Sequence, residues 1–416
     1  MTKYKRVVAR IERDKARRAA KRQEFIKEYD NFSNVITTQN YVEALKNCNR
    51  GVNYKSSVQE YNQEAITRIN STIRTIESGK IPTLGTIKKV HIRERGKERI
   101  ITPIRINDRM TQRVLCDNAL VPVFTHSLIY DNGASMKGKG VDFARKRLYK
   151  HLNNAVKEYG SDYYALTFDF KSFFDSISHR MCLKTLNDSF NDKYIVGLTL
   201  GIIKSYPLRE ARKIEDDEER SAFIKLTREN KGVGICLGSQ ISQVMALIVP
   251  NVIDHYIKDK KSVKYYIRYM DDGVILHNDK EFLKQLLKEI DELAESVDLH
   301  FNHKKTKITK ISKGFTFMKV KYFVREDGKV IRTLVRSGVV RMRRKLKKFK
   351  NKVDNGEMTI DDVYNSMQSW LAHSKVARSY QTQKKMLKLY DELFGGYELT
   401  RKYRHNQNKL KQEAAL

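Results

Sequence analysis

Cysteine is scarce in this sequence of 416 residues, and its few cysteines are scattered along the chain. Cys48, Cys116, Cys182 and Cys236 form no Cys-x-x-Cys pair, so their spacing argues against a zinc site and against a disulfide framework. Unpaired thiols at scattered positions are typical of proteins from a reducing compartment. We therefore expect a cytoplasmic protein.

Long apolar runs are missing as well. The most apolar stretch, Val244 to Ile253, contains Pro250 and is shorter than the ~20 residues that span a bilayer. The first residues, Met1 to Lys5, lack the apolar core of a signal peptide. We expect neither a membrane span nor a secretory leader.

Acidic residues are few relative to basic ones. Lys and Arg total 82, whereas Asp and Glu total 49, and the formal net charge is +33. Such an excess favours a polyanionic partner, with nucleic acid as the first candidate and an acidic membrane surface as the rival. Hydrophobic residues make up 40% of the chain, which indicates a globular protein with a sizeable core.

Two adjacent carboxylates, Asp271 and Asp272, stand out among the residues that are present. They lie between the β-prone segments Tyr265 to Tyr269 and Gly273 to Leu276, which predicts a hairpin with both acids at or beside its turn. Adjacent acids repel each other unless a charge such as a divalent cation offsets them, and hard oxygen ligands suit Mg²⁺ or Mn²⁺. A solvated Asp-Asp-Gly turn is the alternative, so a third carboxylate on a matching strand decides between them.

That third carboxylate is Asp169, which ends an apolar strand predicted over residues 164–170. Burying an unpaired acid is costly or shifts its pKa, so an acid that closes an apolar strand is rarely incidental. Ser178 is the better candidate to cap the helix that follows. Three carboxylates on one sheet can hold two Mg²⁺ ions, one activating a primer 3′-hydroxyl and the other holding a triphosphate.

The order of the predicted elements supports this sheet. A strand ending in Asp169 is followed by helices, by the hairpin with Asp271 and Asp272, by a helix from Phe282 to Val297, and by a strand after Asn302. This order is typical of a ferredoxin-like α+β sheet, which brings the acids together. A further hairpin is predicted from residue 315 to residue 331.

Two segments outside the acid cluster are candidates for nucleotide contacts. A helix predicted over residues 57–78 precedes a basic β-hairpin at residues 86–103, whose Lys97 and Arg99 are candidates for the triphosphate. The short basic loop at residues 137–140 is a weaker phosphate candidate. Residues 232–243 place glycines before an apolar helix, where the backbone can approach a ligand closely. An ordinary exposed hairpin and a loop that only turns the chain are the alternatives.

The C-terminal part contains a strongly basic amphipathic helix, predicted from Val339 to Val353. No acid occurs between Arg336 and Lys352. Runs of charge are usually solvated faces, but the density of this run and the net charge of the chain favour phosphate binding. The candidate nucleic-acid-binding residues of this helix are Arg341, Arg343, Arg344, Lys345, Lys347 and Lys348.

Taken together, these motifs resemble those of reverse transcriptases, specifically the bacterial retroelement type that includes group II intron, retron, diversity-generating and phage-defence enzymes. The resemblance runs from about Ile69 to Tyr390. Phe168 to Asp175 is similar to the first carboxylate motif of that family, and Gly234 to Gln243 is similar to its glycine motif. Tyr269-Met270-Asp271-Asp272 is similar to its signature tetrapeptide, and residues 369–380 resemble its thumb segment.

The resemblance implies an α+β fold of the right-hand polymerase type, with fingers, a ferredoxin-like palm and a helical thumb. We predict a basic N-terminal helical extension at residues 1–56, fingers at residues 57–160, a palm with the catalytic carboxylates at residues 161–335, and a basic helical thumb at residues 336–416.

The resemblance also implies roles for individual residues. Asp169, Asp271 and Asp272 would bind two Mg²⁺ ions, or Mn²⁺ in their place, and Phe170 would offer its backbone carbonyl to one ion. Lys305 would lie near the leaving pyrophosphate as a proton donor.

On the nucleotide side, Phe174 would place a bulky ring under the sugar and exclude a 2′-hydroxyl, while Gly238 and Gln243 would line the nucleotide pocket. The family's glycine motif often reads Pro-Gln-Gly, and this chain has Cys236-Leu237-Gly238 instead. Diversity-generating enzymes, which copy with errors, also carry an aliphatic residue at that position.

The implied activity is RNA-directed DNA synthesis. Its partners would be a structured template RNA, a DNA primer or product, and deoxynucleoside triphosphates, with an accessory protein or a homo-oligomer compatible with the sequence. No Cys/His nuclease module and no ribonuclease H segment follow the thumb motif, which favours a compact polymerase over a mobile intron enzyme. Antiphage defence is the leading role. The alternatives are a diversity-generating enzyme, a template-independent DNA polymerase and a non-catalytic RNA-binding protein.

Overall fold

The computed structural model describes residues 24–82, 90–94, 97–101, 104–211 and 232–396, together with Arg13, Arg17, Ala20 and Lys21. The side chains of residues 90–94, 97–101 and 206–211 lie outside this description. The chain divides into two compact units. The first unit contains Met1–Ala144, Phe168–Gly273 and Gln285–Thr306; the second contains Arg145–Thr167, Val274–Lys284 and Lys307–Leu416. The predicted division into four segments stays a prediction.

The N-terminal part of the first unit is helical and carries one antiparallel hairpin. Its elements are α1 (Phe32–Val35), α2 (Thr38–Asn49), α3 (Ser56–Gln63), α4 (Ala65–Glu77), β1 (Val90–Glu94), β2 (Lys97–Ile101), α5 (Ile106–Leu115) and α6 (Val121–Thr125), with a π-helical turn at Cys116–Leu120 between the last two. The predicted basic hairpin is thereby confirmed. Most of residues 1–23 of the predicted N-terminal helical extension lie outside the described residues, and residues 24–29 are helical.

The single helix predicted over residues 57–78 is wrong, because the structure has two helices that meet at Glu64. The break lets Tyr61 on α3 and Ile69 on α4 both become fully buried, while Ile66 remains 56% exposed. Gly79 follows α4 with a φ of +75° and donates its N–H to the Ile76 carbonyl, as expected of a glycine that ends a helix.

The central sheet has four strands, in the order β4-β5-β3-β6. The elements from residue 141 to residue 310 are α7 (Val141–Tyr159), β3 (Tyr164–Asp169), α8 (Phe173–Ser176), α9 (His179–Asn187), α10 (Lys193–Ala211), α11 (Gln240–Ile248), α12 (Asn251–His255), β4 (Tyr265–Tyr269), β5 (Asp272–His277), α13 (Lys280–Ser296) and β6 (Lys307–Lys310). Helices separate β3 from β4 and β5 from β6, which is the predicted ferredoxin-like arrangement. Strands β3 and β6 are antiparallel, with Tyr164 opposite Lys310 and Thr167 opposite Lys307.

The C-terminal part of the second unit begins with a three-stranded antiparallel sheet formed by β7 (Phe315–Phe317), β8 (Val320–Val324) and β9 (Val330–Leu334). The two-stranded hairpin predicted there was therefore incomplete. Left-handed backbone at Met318 and Lys319 makes the tight turn between β7 and β8, and it divides what the sequence pattern suggests is one strand.

Up to residue 396, where the described part of the second unit ends, β9 is followed by α14 (Arg336–Asp354), α15 (Ile360–Ser374) and α16 (Tyr380–Phe394). Leu346, Met367 and Tyr390 are buried in their shared core, and Trp370 packs against it. Thr359 caps α15 in a reciprocal capping box with Asp362, which fixes where that helix begins. Within the described parts of the chain, no helix is both long enough and apolar enough to cross a bilayer.

Candidate active site

Asp169 is held at the end of β3 by backbone hydrogen bonds on the neighbouring segment. Asp169 is buried, and so is the preceding Phe168. The Asn302 N–H donates to the Asp169 carbonyl at 2.7 Å, and Phe170 lies opposite Phe301 in an antiparallel bridge. The predicted strand that closes with an acid is therefore present, and its end is fixed by the segment before β6.

Asp271 and Asp272 lie at the junction of β4 and β5, as the predicted hairpin requires. Met270, immediately before them, has a φ of +54°, in the left-handed region that costs a non-glycine residue about 1–2 kcal/mol. The Phe170 N–H donates to the Asp271 carbonyl at 3.3 Å. This bond joins the two acid-bearing segments, and the Asp272 carboxyl group lies within hydrogen-bonding reach of Asp169 and close enough to Asp271 to be repelled by it.

Gly273 allows an aromatic ring to lie directly against the acid-bearing strand. A Cβ atom at this position would lie 2.1 Å from Cζ of Phe168, closer than any real contact. The Phe168 ring also packs on the Phe301 ring, with 4.9 Å between centroids. The Asp-Asp-Gly sequence therefore needs its glycine for close packing.

In the acid cluster, the negative charge of the carboxylates exceeds the positive charge of Lys305. Lys305 donates from Nζ to both carboxylate oxygens of Asp169, at 2.6 and 2.9 Å. Burial raises the pKa of Asp272 to about 7, with repulsion from Asp271 and Asp169 and a hydrogen bond with Asp169 adding to the effect. The hydrogen bond with Asp169 in turn raises the pKa of Lys305 above its ordinary 10.5, so this lysine stays charged. One cation is thus shared by three clustered acids.

This cluster fits a divalent cation by the chemistry of its donors. Carboxylate oxygens are the ligands that Mg²⁺ prefers, and a second positive charge would relieve the repulsion that raises the pKa of Asp272. Across the described residues, no three His, Cys, Asp or Glu side chains converge closely enough to form a complete metal site. The Asp169 carboxylate is engaged with Lys305, so a metal ion would compete with this lysine for the same two oxygens.

The segment from Phe174 to Ile177, which includes most of α8, is bonded to the glycine motif. The Ile235 N–H donates to the Phe174 carbonyl and the Gly234 N–H donates to the Ile177 carbonyl, both at 2.9 Å. The buried His179 adds a third link, because its Nε2 donates to the Gly234 carbonyl at 2.8 Å. Gly234 has a φ of +96°, and a Cβ there would lie 3.4 Å from the Asp175 carbonyl oxygen. The predicted sugar-contacting ring and the predicted nucleotide pocket are therefore one connected substructure.

The glycine motif ends at the start of α11. Gly238 is exposed and has a φ of +109°, and Ser239 caps the helix by accepting from the Ser242 N–H. Gln112 on α5 accepts from the Ser239 hydroxyl at 2.9 Å and from the Gln240 N–H at 3.1 Å. Ser178 likewise caps α9, as predicted, by accepting from the Met181 N–H.

A cavity of about 340 Å³ lies beside this helix start. Gly238 and Gln243, the two residues predicted to line a nucleotide pocket, line this cavity, and so do three arginines; nucleotide binding by these residues stays a prediction. The lining residues are Asn47, Cys48, Arg50, Ile104, Arg109, Gln112, Arg113, Gly238, Gln240 and Gln243. None of these described lining residues is acidic, so the cavity suits an anionic ligand. Arg109 and Arg113 lie on one face of α5, and this helical spacing is the sequence signal from which these two arginines could have been predicted.

The structure describes the remaining predicted contact residues to different extents. Lys97 and Arg99 lie on β2, but their side chains are outside the described part of the structure. In the loop at residues 137–140, Lys139 donates to the carbonyls of Tyr130 and Asn132, and phosphate contact by this loop stays a prediction.

In the second unit, the six predicted nucleic-acid-binding residues of α14 are exposed, whereas Met342 and Leu346 on the same helix are buried. The predicted division of this helix into a core face and a basic face is therefore confirmed. Lys345 donates to the Ser366 hydroxyl at 2.8 Å.

Residues 87–322 match the profile of a protein family described as reverse transcriptase (RNA-dependent DNA polymerase). This match covers more than half of the chain and includes the acid cluster, the glycine motif and Lys305. A search of curated protein sequences gave no match.

Solved structures with partial similarity include three telomerases from Candida. Apo telomerase from Candida tropicalis truncated from its C-terminal domain has 14% identity and a TM-score of 0.37, covering 59% of this chain and 54% of that one. Telomerase from Candida albicans in complex with a fragment of telomeric RNA has 14% identity and a TM-score of 0.38, covering 73% of this chain and 55% of that one. Apo telomerase from Candida tropicalis has 13% identity and a TM-score of 0.38, covering 81% and 68%. The chain thus spans about half the length of the first two.

Proposed function

The chain belongs to the reverse transcriptase (RNA-dependent DNA polymerase) family, and from this premise we propose that it copies a dedicated structured RNA into DNA as part of antiphage defence. The family match indicates an RNA-directed DNA polymerase, which is a nucleotidyltransferase, and with the mixed helix and sheet content it agrees with a right-hand polymerase fold. The template, the cellular role and the roles of individual residues are the parts that we propose.

The observation that carries the proposal is the clustering of Asp169, Asp271 and Asp272 with Lys305. We assign the three carboxylates, with the Phe170 carbonyl, to hold two divalent cations, Mg²⁺ or Mn²⁺. When bound, these ions would activate a 3′-hydroxyl and neutralise the triphosphate. Lys305 is charged at neutral pH and is assigned to donate a proton to the leaving pyrophosphate.

The nucleotide side of the site is assigned to the connected substructure around the glycine motif. Phe174, half-buried and bonded through its carbonyl to Ile235, would contact the sugar and exclude a 2′-hydroxyl. Gly238 and Gln243 would line the pocket for the base pair, and Lys97 and Arg99 would contact the triphosphate. A deoxynucleoside triphosphate is therefore the proposed substrate.

Template RNA and the DNA primer or product are assigned to the basic surfaces. Arg50, Arg109 and Arg113 line one wall of the cavity beside Gly238, where a single strand carrying phosphates would be neutralised. The exposed cations of α14 would contact the backbone of a duplex. At these two basic surfaces the positive excess of the chain, a net charge of +33, would contact a polyanion.

The antiphage role rests on the likeness of the motifs to those of defence-associated enzymes. All four cysteines are free thiols, which supports a reducing cytoplasm as the compartment in which the protein acts.

The polymerase activity is tested by extension of a DNA primer annealed to an RNA template, with Mg²⁺ and each of the four deoxynucleotides. We expect extension by the wild type and loss of at least a thousandfold in the Asp271→Asn/Asp272→Asn variant. The matched control is Asp162→Asn, which removes one exposed acid that pairs with Lys310. Equal activity in the catalytic variant and the control would contradict the assignment.

A further inference from the structure

An arginine with no solvent exposure lies just before the acid-bearing turn. Arg268 on β4 and Asp254 on α12 both have fully buried side chains. Nε of Arg268 lies 2.8 Å from one carboxylate oxygen of Asp254, and Nη2 lies 2.6 Å from the other. Such a fork-on-carboxylate pair has a fixed planar geometry, which a lysine cannot reproduce.

The guanidinium has further donors, and two of them bond to backbone carbonyls. Nη1 donates to the Met270 carbonyl at 2.9 Å, and Nη2 donates to the Leu247 carbonyl at 2.8 Å. Met270 is the left-handed residue that directly precedes Asp271. Leu247 lies in the last turn of α11, where helix carbonyls lack partners within the helix. One side chain thus joins the helix that begins at the glycine motif to the turn that carries the acids.

The partners of Arg268 are themselves fixed. The Tyr266 hydroxyl donates to Asp254 at 2.6 Å, so the carboxylate has a second buried donor. The backbone of Arg268 is held on both sides, since its N–H donates to the Asp131 carbonyl and its carbonyl accepts from the Gly133 N–H. The guanidinium therefore has little freedom to move away from the Met270 carbonyl.

Stability alone does not account for this arrangement. Burying an ion pair carries a desolvation cost that its attraction often fails to exceed, and apolar replacements of similar volume are frequently as stable. A buried pair that also bonds to a left-handed backbone fixes one conformation, which is the property that a catalytic turn needs.

We propose that Arg268, held by Asp254, is a positioning residue that orients the Met270 carbonyl and thereby keeps Asp271 and Asp272 in their reactive arrangement. In this role Arg268, whose side chain is fully buried, acts through its bond to the Met270 carbonyl. The inference rests on the proposed polymerase function, because the arrangement of the acids matters only if they take part in the reaction.

The test compares the wild type with Arg268→Lys and Asp254→Asn. Arg268→Lys keeps the positive charge but loses the two-point contact with the Asp254 carboxylate, so the turn at Met270 should sample other conformations. We expect kcat for primer extension to fall at least about tenfold while KM for the deoxynucleotide changes less than about threefold. Hydrogen exchange of peptides that contain residues 269–273 should become faster, and this readout does not depend on activity.

Two control variants separate positioning from general destabilisation. Tyr266→Phe removes one donor to Asp254 and leaves the arginine fork, so it should keep most of kcat. Lys261→Met breaks the pair with Glu289, neither of which bonds to Arg268 or Asp254, and should leave both readouts unchanged. Thermal unfolding of every variant shows whether it is folded at the assay temperature.

The outcomes distinguish the inference from the proposed function. Unchanged hydrogen exchange at residues 269–273 in a folded Arg268→Lys protein would overturn the inference, as would a loss of kcat matched by Lys261→Met. Loss of the folded state in both Arg268→Lys and Asp254→Asn would assign the pair to stability and would also overturn it. If the wild type shows no polymerase activity, the proposed function fails, and the exchange measurement still decides whether Arg268 holds the turn.

Discussion

Replacing Gly273 with alanine is expected to destabilise the protein through a single contact. The new Cβ would lie 2.1 Å from Cζ of Phe168 and within 2.5 Å of the two adjacent ring atoms. The ring has little room to retreat, because it packs on Phe301 at 4.9 Å and stacks on Tyr266 at 6.3 Å between centroids. The φ angle of Gly273 is outside the left-handed region, so backbone strain adds nothing to the effect.

The magnitude follows from two opposing effects. Overpacking a well-packed core costs about 1–3 kcal/mol, whereas alanine in a strand gains about 0.5–1 kcal/mol over glycine. We therefore expect Gly273→Ala to lower the free energy of unfolding by about 1–2 kcal/mol. Primer extension should fall too, because the displaced residue follows Asp272 directly.

Urea-induced unfolding of a double-mutant cycle measures this effect. Phe168→Ala removes the ring and costs about 3–5 kcal/mol on its own, but in that background Gly273→Ala should be neutral or stabilising. The coupling between the two changes is then at least about 1 kcal/mol. Gly197→Ala on α10 is the matched control: nothing lies within 4 Å of its Cβ, so it should stabilise the helix. Additive effects of Gly273→Ala and Phe168→Ala would refute the reasoning.

Three further predictions concern the site and the basic helix. Phe174→Ala should raise the efficiency of ribonucleotide incorporation relative to deoxyribonucleotides by at least tenfold, and an unchanged kcat/KM ratio would contradict the assignment of this ring. Burial lowers the pKa of His179 below its ordinary 6.5, so the unfolded chain binds more protons than the folded one and stability falls as pH drops below 6.5. His179→Gln should therefore reduce the decline in melting temperature between pH 7 and pH 5. A decline identical to that of the wild type would refute this. Lys347→Gln/Lys348→Gln should weaken binding of an RNA–DNA duplex and reduce its salt dependence by about one unit of slope per lost phosphate contact; an unchanged slope in filter binding would count against a backbone contact.

The elements around the acids could be predicted from the sequence because each carries a local signal. Strand β3 is an apolar run that ends at Asp169, and the β4–β5 turn combines β-prone residues with an Asp-Asp-Gly sequence. Amphipathic spacing predicted α13 and α14 for the same reason. In these segments local preference and tertiary packing agree.

Features that depend on partners distant in sequence could not be predicted in the same way. Arg268 lies in an otherwise apolar strand, and only the fold reveals that Asp254 and the Met270 carbonyl surround it. Gln112 meets the start of α11 across 127 residues of sequence. The break at Glu64 also depends on packing, since helical spacing continues through it.

Sequencing the nucleic acids that co-purify with the protein tests the central claim most directly. The wild type and the Asp271→Ala/Asp272→Ala variant would be purified in parallel from the same cells. The proposed function predicts one defined RNA in both samples and a complementary DNA in the wild type alone. An absence of DNA from both samples, or the same DNA in both, would contradict RNA-templated synthesis by this acid cluster.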